Sequence, residues 1–587
     1  MVKKWIVYIA CLLLLPQTLW STTIYVKDQK DFNNIATQII HSIEKGESVI
    51  KIIILPGTYE FNEQHIILKD VDAPKISLKI SGKGMVSVVP SGNTFMNGDS
   101  YDGLFDINNS WMCDNQDVFI WSETKYVDGL VEVVNKKEKI CRFKSKESYL
   151  PNIDVNNAYV MIPEWFTSRT YKIINIDNSF IYFYAPDLEM SYNNGYNVND
   201  DYNYKNRSLR YRLCNVKYNN NNILISNRKI TLPQTCPSVH EGKVHNFITI
   251  NNCSFRAFEL QNLSFRGNRD SDNSALICFL NSTFKKAEIR SCEFVGIRSN
   301  AIHISASSNI SVANNHFKDC YKYGIISNKA STYTKIQNNT FHMMGKWNLN
   351  VFSVLCSGSS FLIKNNLFRD FGFGGIAVGK WYRSNQIEPC YGIVEDNELS
   401  YSDSYIKSIK EDGLMDGGAI YTYTINDGTI IRNNYIHDIS GVADNRGIFC
   451  DDGSFGLQVY GNIITGICNS YCVDARRVSS IENYSQGSKV KNTNVNLEIY
   501  NNIIDGEVRF EANEIENNGC KYGGSYVLVP QDKEKEIFKI SGIYDPKEDI
   551  IINCLGTYNG TYKITPNSYK NLKRSPIWKE IKKHINK

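Results

Sequence analysis

The 587-residue chain is poor in several residue types and patterns. Only 14 residues are proline and 9 are histidine. Lys and Arg number 65 against 61 Asp and Glu, a formal charge of +4, so the basic excess that marks nucleic-acid binders is missing. With 42% apolar and 21% charged residues, the composition excludes both wholesale disorder and a collagen-like chain. Beyond residue 21 no apolar run approaches the ~20 residues of a membrane helix. The 16 cysteines lack the clustered spacing of a metal site; the one close pair, Cys468 and Cys472, has no histidine near it. Cys278 and Cys450 sit inside apolar strand-like runs, which reads as buried small apolar residues rather than a disulfide framework.

What the chain does have is aromatic and amide side chains. Aromatics reach 12%, with 36 Tyr, and Asn is frequent. This composition points to an all-β protein whose surfaces meet polar, ring-shaped ligands. Residues 1–21 read as a secretory signal: Lys3 and Lys4 form a basic start, Trp5 to Leu15 an apolar run, and Ser21 ends a cleavage site. The expected location is therefore secreted, periplasmic or cell-surface, with no integral membrane segment and no nucleic-acid partner.

Thr23–Val26 reads as a strand. Asp31 then caps a helical pattern, Phe32, Ile35, Ala36, Ile39, Ile40 and Ile43, stopped by Gly46. A helix closing one end of a stacked-strand core is the cap that solenoids require. From about residue 250 the chain repeats itself. Short strands carry a small polar step and then Phe, Ile or Leu at Phe265, Phe294, Phe317, Phe341, Phe368, Leu399, Ile436, Ile464 and Ile504, at intervals of 23 to 40 residues. A basal period in the twenties, lengthened by loops, predicts a solenoid of short parallel strands. Asn pairs at 314–315, 338–339, 365–366, 433–434 and 501–502 mark one turn, where Asn tolerates a left-handed backbone and can stack along the axis. That ladder reads as structural. The predicted organisation is a signal at 1–21, an N-terminal cap and first rungs at 22–100, an inserted β-rich subdomain or long loops at 101–249, β-helix repeats at 250–515, and an irregular C-terminal segment and cap at 516–587, including a short helix near 577–583.

Laying the strands that open successive repeats over one another gives two outward columns, because strand side chains alternate faces. One holds His303, Ile326, Ala377, Tyr421, Phe449 and Asp474; the other holds Ser305, Asn328, Gly379, Tyr423, Asp451 and Arg476. Asp451 and Asp474 would lie on neighbouring rungs two residues apart, with Cα atoms about 8 Å from each other. Glycosidic hydrolysis needs two carboxyl groups at roughly 5–9.5 Å. Arg476 beside Asp451 would keep that carboxylate charged, and Tyr421 and Tyr423 could stack on a sugar. Phe449 and Trp381 complete the sugar-contact candidates. Asp416, before Gly417, and Asp452, before Gly453, compete for a catalytic role, although Asp before Gly as readily makes a turn. His437 and Asp438 read as structural, and Glu411 and Asp412 as solvated.

These residues resemble secreted right-handed parallel β-helix enzymes of the pectin-lyase-like type, and within them glycoside hydrolase family 141. The matching stretches are Asp416–Tyr421, Ile431–Ile439, Gly447–Ser454 and Val459–Asn462, together with the Leu55–Tyr59 turn. The resemblance implies a right-handed parallel β-helix with two catalytic aspartates, Asp416 and either Asp451 or Asp452, which differs in part from the Asp451–Asp474 pairing. It implies activities that range from removing fucose from pectin to cleaving xylan. The leading expectation is a glycoside hydrolase acting without a cofactor on a plant or host polysaccharide. One alternative is a polysaccharide lyase, with Lys380, Arg476 or Arg477 as base and Ca²⁺ on Asp451 and Asp452. The other is a non-catalytic glycan-binding solenoid.

Overall fold

The structure is a computed structural model whose described residues run from 20 to 553 with gaps, those of ten or more residues being 91–100, 107–124, 186–209, 231–245 and 380–389. The signal at 1–21 and the helix near 577–583 therefore fall almost entirely outside it. Short strands stack in parallel register into three long sheets of 13, 13 and 12 strands. The first sheet opens with Ser21–Val26, the second with Gly57–Phe61 and the third with Ile66–Lys69. The chain visits them in turn, one strand each per rung, so the all-β parallel solenoid is as expected. Strands at Lys521–Gly523, Tyr526–Val529, Phe538–Ser541 and Ile550–Asn553 carry the sheets beyond residue 515.

One continuous apolar core fills the coil from Val26 to Val508. Its most regular column is a pile of rings: Phe265, Phe294, Phe317, Phe341 and Phe368 stack at centroid separations of 5.3, 4.7, 4.7 and 4.7 Å. That is the strand-to-strand distance of a sheet, so the rung repeat itself sets the stacking.

The Asn pairs divide their work. The first member takes a left-handed backbone, with φ of 56° at Asn314, 54° at Asn338, 53° at Asn365 and 56° at Asn433; Asp396 and Gly461 fill the same place at 57° and 67°. The second member points inward and builds a ladder through Asn315, Asn339, Asn366, Asn397, Asn434, Asn462 and Asn502. Each side-chain amide donates to the next side-chain carbonyl at 2.9–3.1 Å. Asn397 also donates to Ile363 O at 3.0 Å and accepts from Asn366 N at 3.0 Å. Asn397→Ala leaves buried polar groups unpaired on both sides, at a cost of about 2 kcal/mol; urea denaturation should register that loss, and an unchanged midpoint would remove the ladder from the account of stability.

At the N-terminus the apolar stripe of residues 32–43 does form helix, but in two pieces, Gln29–Asn33 and Ile35–Glu44. The cap is Asp28 rather than Asp31: its side chain accepts from Asp31 N at 2.8 Å, one turn earlier than the apolar pattern suggested. Phe32, Ile35 and Ile39 close the core, while Ile40 stays exposed. Between residues 101 and 249, the strands Lys125–Asn135, Ile140–Ser145, Ala158–Pro163, Ser168–Asp177, Phe180–Tyr184 and Arg210–Asn215 close into an antiparallel barrel around Phe143, Val160, Ile173, Ile181 and Phe183.

Candidate functional site

The third sheet carries the chemistry-bearing columns. Its registers pair His303 with Ile326, Ile326 with Leu355, Leu355 with Ala377, Ala377 with Tyr421, Tyr421 with Phe449, and Phe449 with Asp474. The column drawn from sequence is reproduced, with Leu355 added. Its strand, Phe352–Cys356, was not among those aligned.

Strand alternation alone does not describe these rungs. Ala419 and Ile420, then Cys472 and Val473, are successive residues that both enter the solenoid core. Gly447 and Ile448 do the same, since a Cβ on Gly447 would lie 2.7 Å from the core atom Ile464 Cγ2. Two inward residues in a row turn the residue before them outward. Gly418 is one such residue, and a Cβ there would approach Phe449 Cβ to 2.9 Å. Arg446 is another. It is fully buried, its guanidinium lies 4.0 Å over the Phe449 ring, and its Nε donates to Asp474, which is also fully buried. Arg446 was not found from sequence; the only signal was its place just ahead of Gly447-Ile448.

Asp451 directly follows the strand Arg446–Cys450, is 3% exposed, and accepts from the Tyr421 hydroxyl. Its backbone is fixed as well: Asp451 N donates to Thr422 O at 2.9 Å and Ser454 N donates to Asp451 O at 2.9 Å, with the Thr422 and Ser454 hydroxyls 2.9 Å apart. Asp452 and Gly453, between Asp451 and Ser454 in sequence, lie outside the described residues. So do Asp416, Glu411, Asp412, Lys380, Trp381, Arg476 and Arg477. The registers confirm Asp451 and Asp474 on adjacent rungs, displaced by two residues. Arg476, expected beside Asp451, lies outside the described residues, and an arginine that meets an aspartate here is Arg446.

The aromatic residues need correction. Tyr421 and Phe449 were expected to offer ring faces to a sugar, yet they are 3% and 0% exposed. They belong to a second apolar cluster outside the solenoid core, with Phe352, Phe373 and Ala377. Tyr421 meets Phe449 edge-on at 4.9 Å and 75°, Phe352 at 5.5 Å and 62°, and Tyr423 at 5.2 Å and 75°. Edge-to-face packing is the favoured geometry for such rings, and here it uses up their faces: they support the charged groups. Tyr423 remains half-buried; burial pushes its phenol well above the ordinary value, with Tyr323 and Asp451 adding to the shift. Burial likewise pushes the Cys450 thiol up to about 12, reinforced by Asp474 and Asp451.

A further support comes from the turn ahead of helix Asp403–Ile409. Asp370 accepts from Ser402 N at 2.6 Å and from its hydroxyl at 2.9 Å, and the Tyr405 hydroxyl donates to Phe371 O at 2.7 Å. This anchors Tyr401, whose hydroxyl accepts from Asn445 Nδ2 at 3.1 Å, next to Arg446. Gly417 packs against the same amide: a Cβ there would lie 2.5 Å from Asn445 Oδ1. The Gly417-Gly418 pair is thus required by two close approaches, whatever Asp416 does.

His437 and Asp438 sit apart, at the end of a second-sheet strand. Asp438 Oδ2 lies 2.6 Å from His437 Nδ1, Glu398 lies 3.5 Å from Nε2, and Tyr435 stacks on the ring at 4.2 Å. Burial opposes the imidazolium, but those carboxylates outweigh it and raise the pKa, in keeping with a structural ion pair. His303 Nε2 contacts Asn328 Oδ1 at 3.2 Å, several rungs from Asp451. Among the described residues no group of three or more His, Cys, Asp or Glu could hold a metal ion, and no helix is long and apolar enough to cross a membrane. Nine described cysteines are buried, with no disulfide between them.

A family model described as a right-handed β-helix region matches residues 245–397, the rungs leading up to the site. No curated protein matches the chain in sequence. Among solved structures, one titled glycoside hydrolase aligns at 10% identity over 77% of this chain and 96% of its own, with a TM-score of 0.44. The XylC complex with xylose aligns at 12% identity over 89% and 86%, with 0.37. The A-module of the Azotobacter vinelandii mannuronan C-5 epimerase AlgE4 aligns at 11% identity over 91% and 96%, with 0.38. The strand registers make the fold a parallel β-helix, and the family match makes it right-handed.

Proposed function

We propose that the protein is a glycoside hydrolase acting on a complex plant or host polysaccharide, outside the cytoplasm. One observation carries the reading: a carboxylate, Asp451, stands beside a fully buried Arg446–Asp474 ion pair on the outer side of the third sheet. Taking two charges out of water costs several kcal/mol per ion before their attraction repays it. The solenoid does not need that arrangement, since the same column is filled by Ile326, Leu355 and Ala377 on earlier rungs. Buried charge where earlier rungs of the same column carry apolar side chains fits a reaction site.

In this reading Asp451 is a reacting carboxylate held by the Tyr421 hydroxyl. Asp416, the other aspartate implied by the resemblance to family 141, immediately precedes Gly417, whose carbonyl accepts from Arg446 N at 3.1 Å. The pair would supply the acid for the leaving oxygen and the nucleophile or base opposite it. Asp474, enclosed and tied to Arg446, serves as a positioning group. No metal is required. A lyase would instead need a basic side chain to remove a proton beside a uronate carboxyl; the candidates for it, Lys380, Arg476 and Arg477, lie outside the described residues. The test is release of reducing ends from polygalacturonate, xylan and host glycans by the full-length protein and its Asp416→Asn, Asp451→Asn, Asp452→Asn and Asp474→Asn variants. Loss in the first two, with Asp452→Asn active, supports the pair; full activity in Asp451→Asn refutes it.

A further inference from the structure

Tyr333 occupies the turn between the third-sheet strand Ile325–Asn328 and the first-sheet strand Lys335–Gln337. Its backbone is left-handed, φ 54°, as is that of its neighbours in the stack, Asn309 at 60° and Ser360 at 56°. Asn accepts this conformation readily, whereas a bulky side chain there is an outlier. Tyr333 is also 58% exposed, so burial returns little for the strain. The fold fills the position with Asn one rung earlier and gains nothing evident from a ring. Strain of this kind, held by its surroundings, points to function.

A second exposed ring stands on the same edge. Tyr391, 40% exposed, pairs with Ser359 and accepts a hydrogen bond from the Ser360 hydroxyl at 3.3 Å. The two rings are two rungs apart, about 10 Å, with that hydroxyl between them. This is the edge where third-sheet strands turn towards the first sheet, and Asp451 follows the strand Arg446–Cys450 there, two rungs beyond Tyr391. We propose that Tyr333, Ser360 and Tyr391 form a polysaccharide-binding ridge that guides a glycan chain along the solenoid axis towards Asp451. Tyrosine offers an apolar face and a polar tip, and two rings separated by a hydroxyl match the alternation of apolar faces and hydroxyl groups along a disaccharide repeat. The destination of the chain rests on the hydrolase reading; the binding does not.

Native affinity electrophoresis in gels containing polygalacturonate, xylan or chondroitin sulfate tests it. The unaltered protein should be retarded by at least one glycan, and Tyr333→Asn with Tyr391→Ala should weaken that binding at least tenfold. Tyr333→Asn alone should leave the thermal midpoint unchanged or raised, because Asn suits the left-handed turn. Asp451→Asn should bind as the unaltered protein does. Equal retardation of the double variant, or no retardation of the unaltered protein in any gel, overturns the ridge. A change in sedimentation in place of a change in glycan binding overturns it too, in favour of a contact between copies. Binding through the ridge with no product from any glycan overturns the hydrolase reading alone.

Discussion

Asp451→Asn is expected to lower kcat/KM on the cleaved glycan by about 10²–10⁴-fold, the range over which positioned proton-transfer groups contribute. The substitution keeps size and shape. The amide oxygen can still accept from the Tyr421 hydroxyl, and the backbone bonds to Thr422 and Ser454 remain. Binding to polysaccharide and the thermal midpoint should therefore hold while turnover falls. Tyr421→Phe is a graded companion: it removes the hydroxyl that holds the carboxylate but keeps the ring against Phe449 and Phe352. A loss of activity in Asp451→Asn that tracked a loss of folded protein would reduce Asp451 to a structural residue.

The second large effect is on stability. Arg446→Met should cost about 3–5 kcal/mol, the penalty for leaving one member of a buried ion pair uncompensated. Here Asp474 would be left fully buried, and Phe449 would lose the guanidinium packed on its face. Because most of that cost is the stranded charge, Arg446→Met combined with Asp474→Leu should be markedly more stable than Arg446→Met alone. Chemical denaturation of the two single variants and the double variant measures the coupling directly. Additive losses would mean that the two side chains do not depend on each other. The double variant should nonetheless be impaired in turnover, since it keeps the packing but removes the charged pair of the proposed site.

Much of the solenoid was legible because its signals are local and repeated. Each turn needs one residue that tolerates a left-handed backbone and one that bonds along the axis, and Asn serves in both places, so the turn announces itself wherever the two are paired. The outward column from His303 to Asp474 followed from a period of two. The same rule hid Arg446: where Gly447 and Ile448 both turn inward, alternation fails, and the residue before them joins the outer face unseen. Phe352–Cys356 escaped notice because Ser353-Val354 stands where the neighbouring rungs carry Gly324-Ile325 and Gly375-Ile376. Sequence also exposed too much. Tyr421 and Phe449 do face away from the solenoid core, but Phe352 and Phe373, distant in sequence, pack against them, and only tertiary contacts report that. The cap at Asp28 was missed for a simpler reason, since the apolar stripe starts a turn after the helix does.

The central claim, hydrolysis at the Asp451 face, meets its most direct test in ¹⁸O-labelled water. The full-length protein would be incubated with polygalacturonate, xylan and host glycans, and the products weighed by mass spectrometry. The account predicts saturated fragments carrying one labelled oxygen for each bond broken, absent from the Asp451→Asn variant. Unsaturated, unlabelled fragments, or labelled fragments formed equally well by Asp451→Asn, would contradict it.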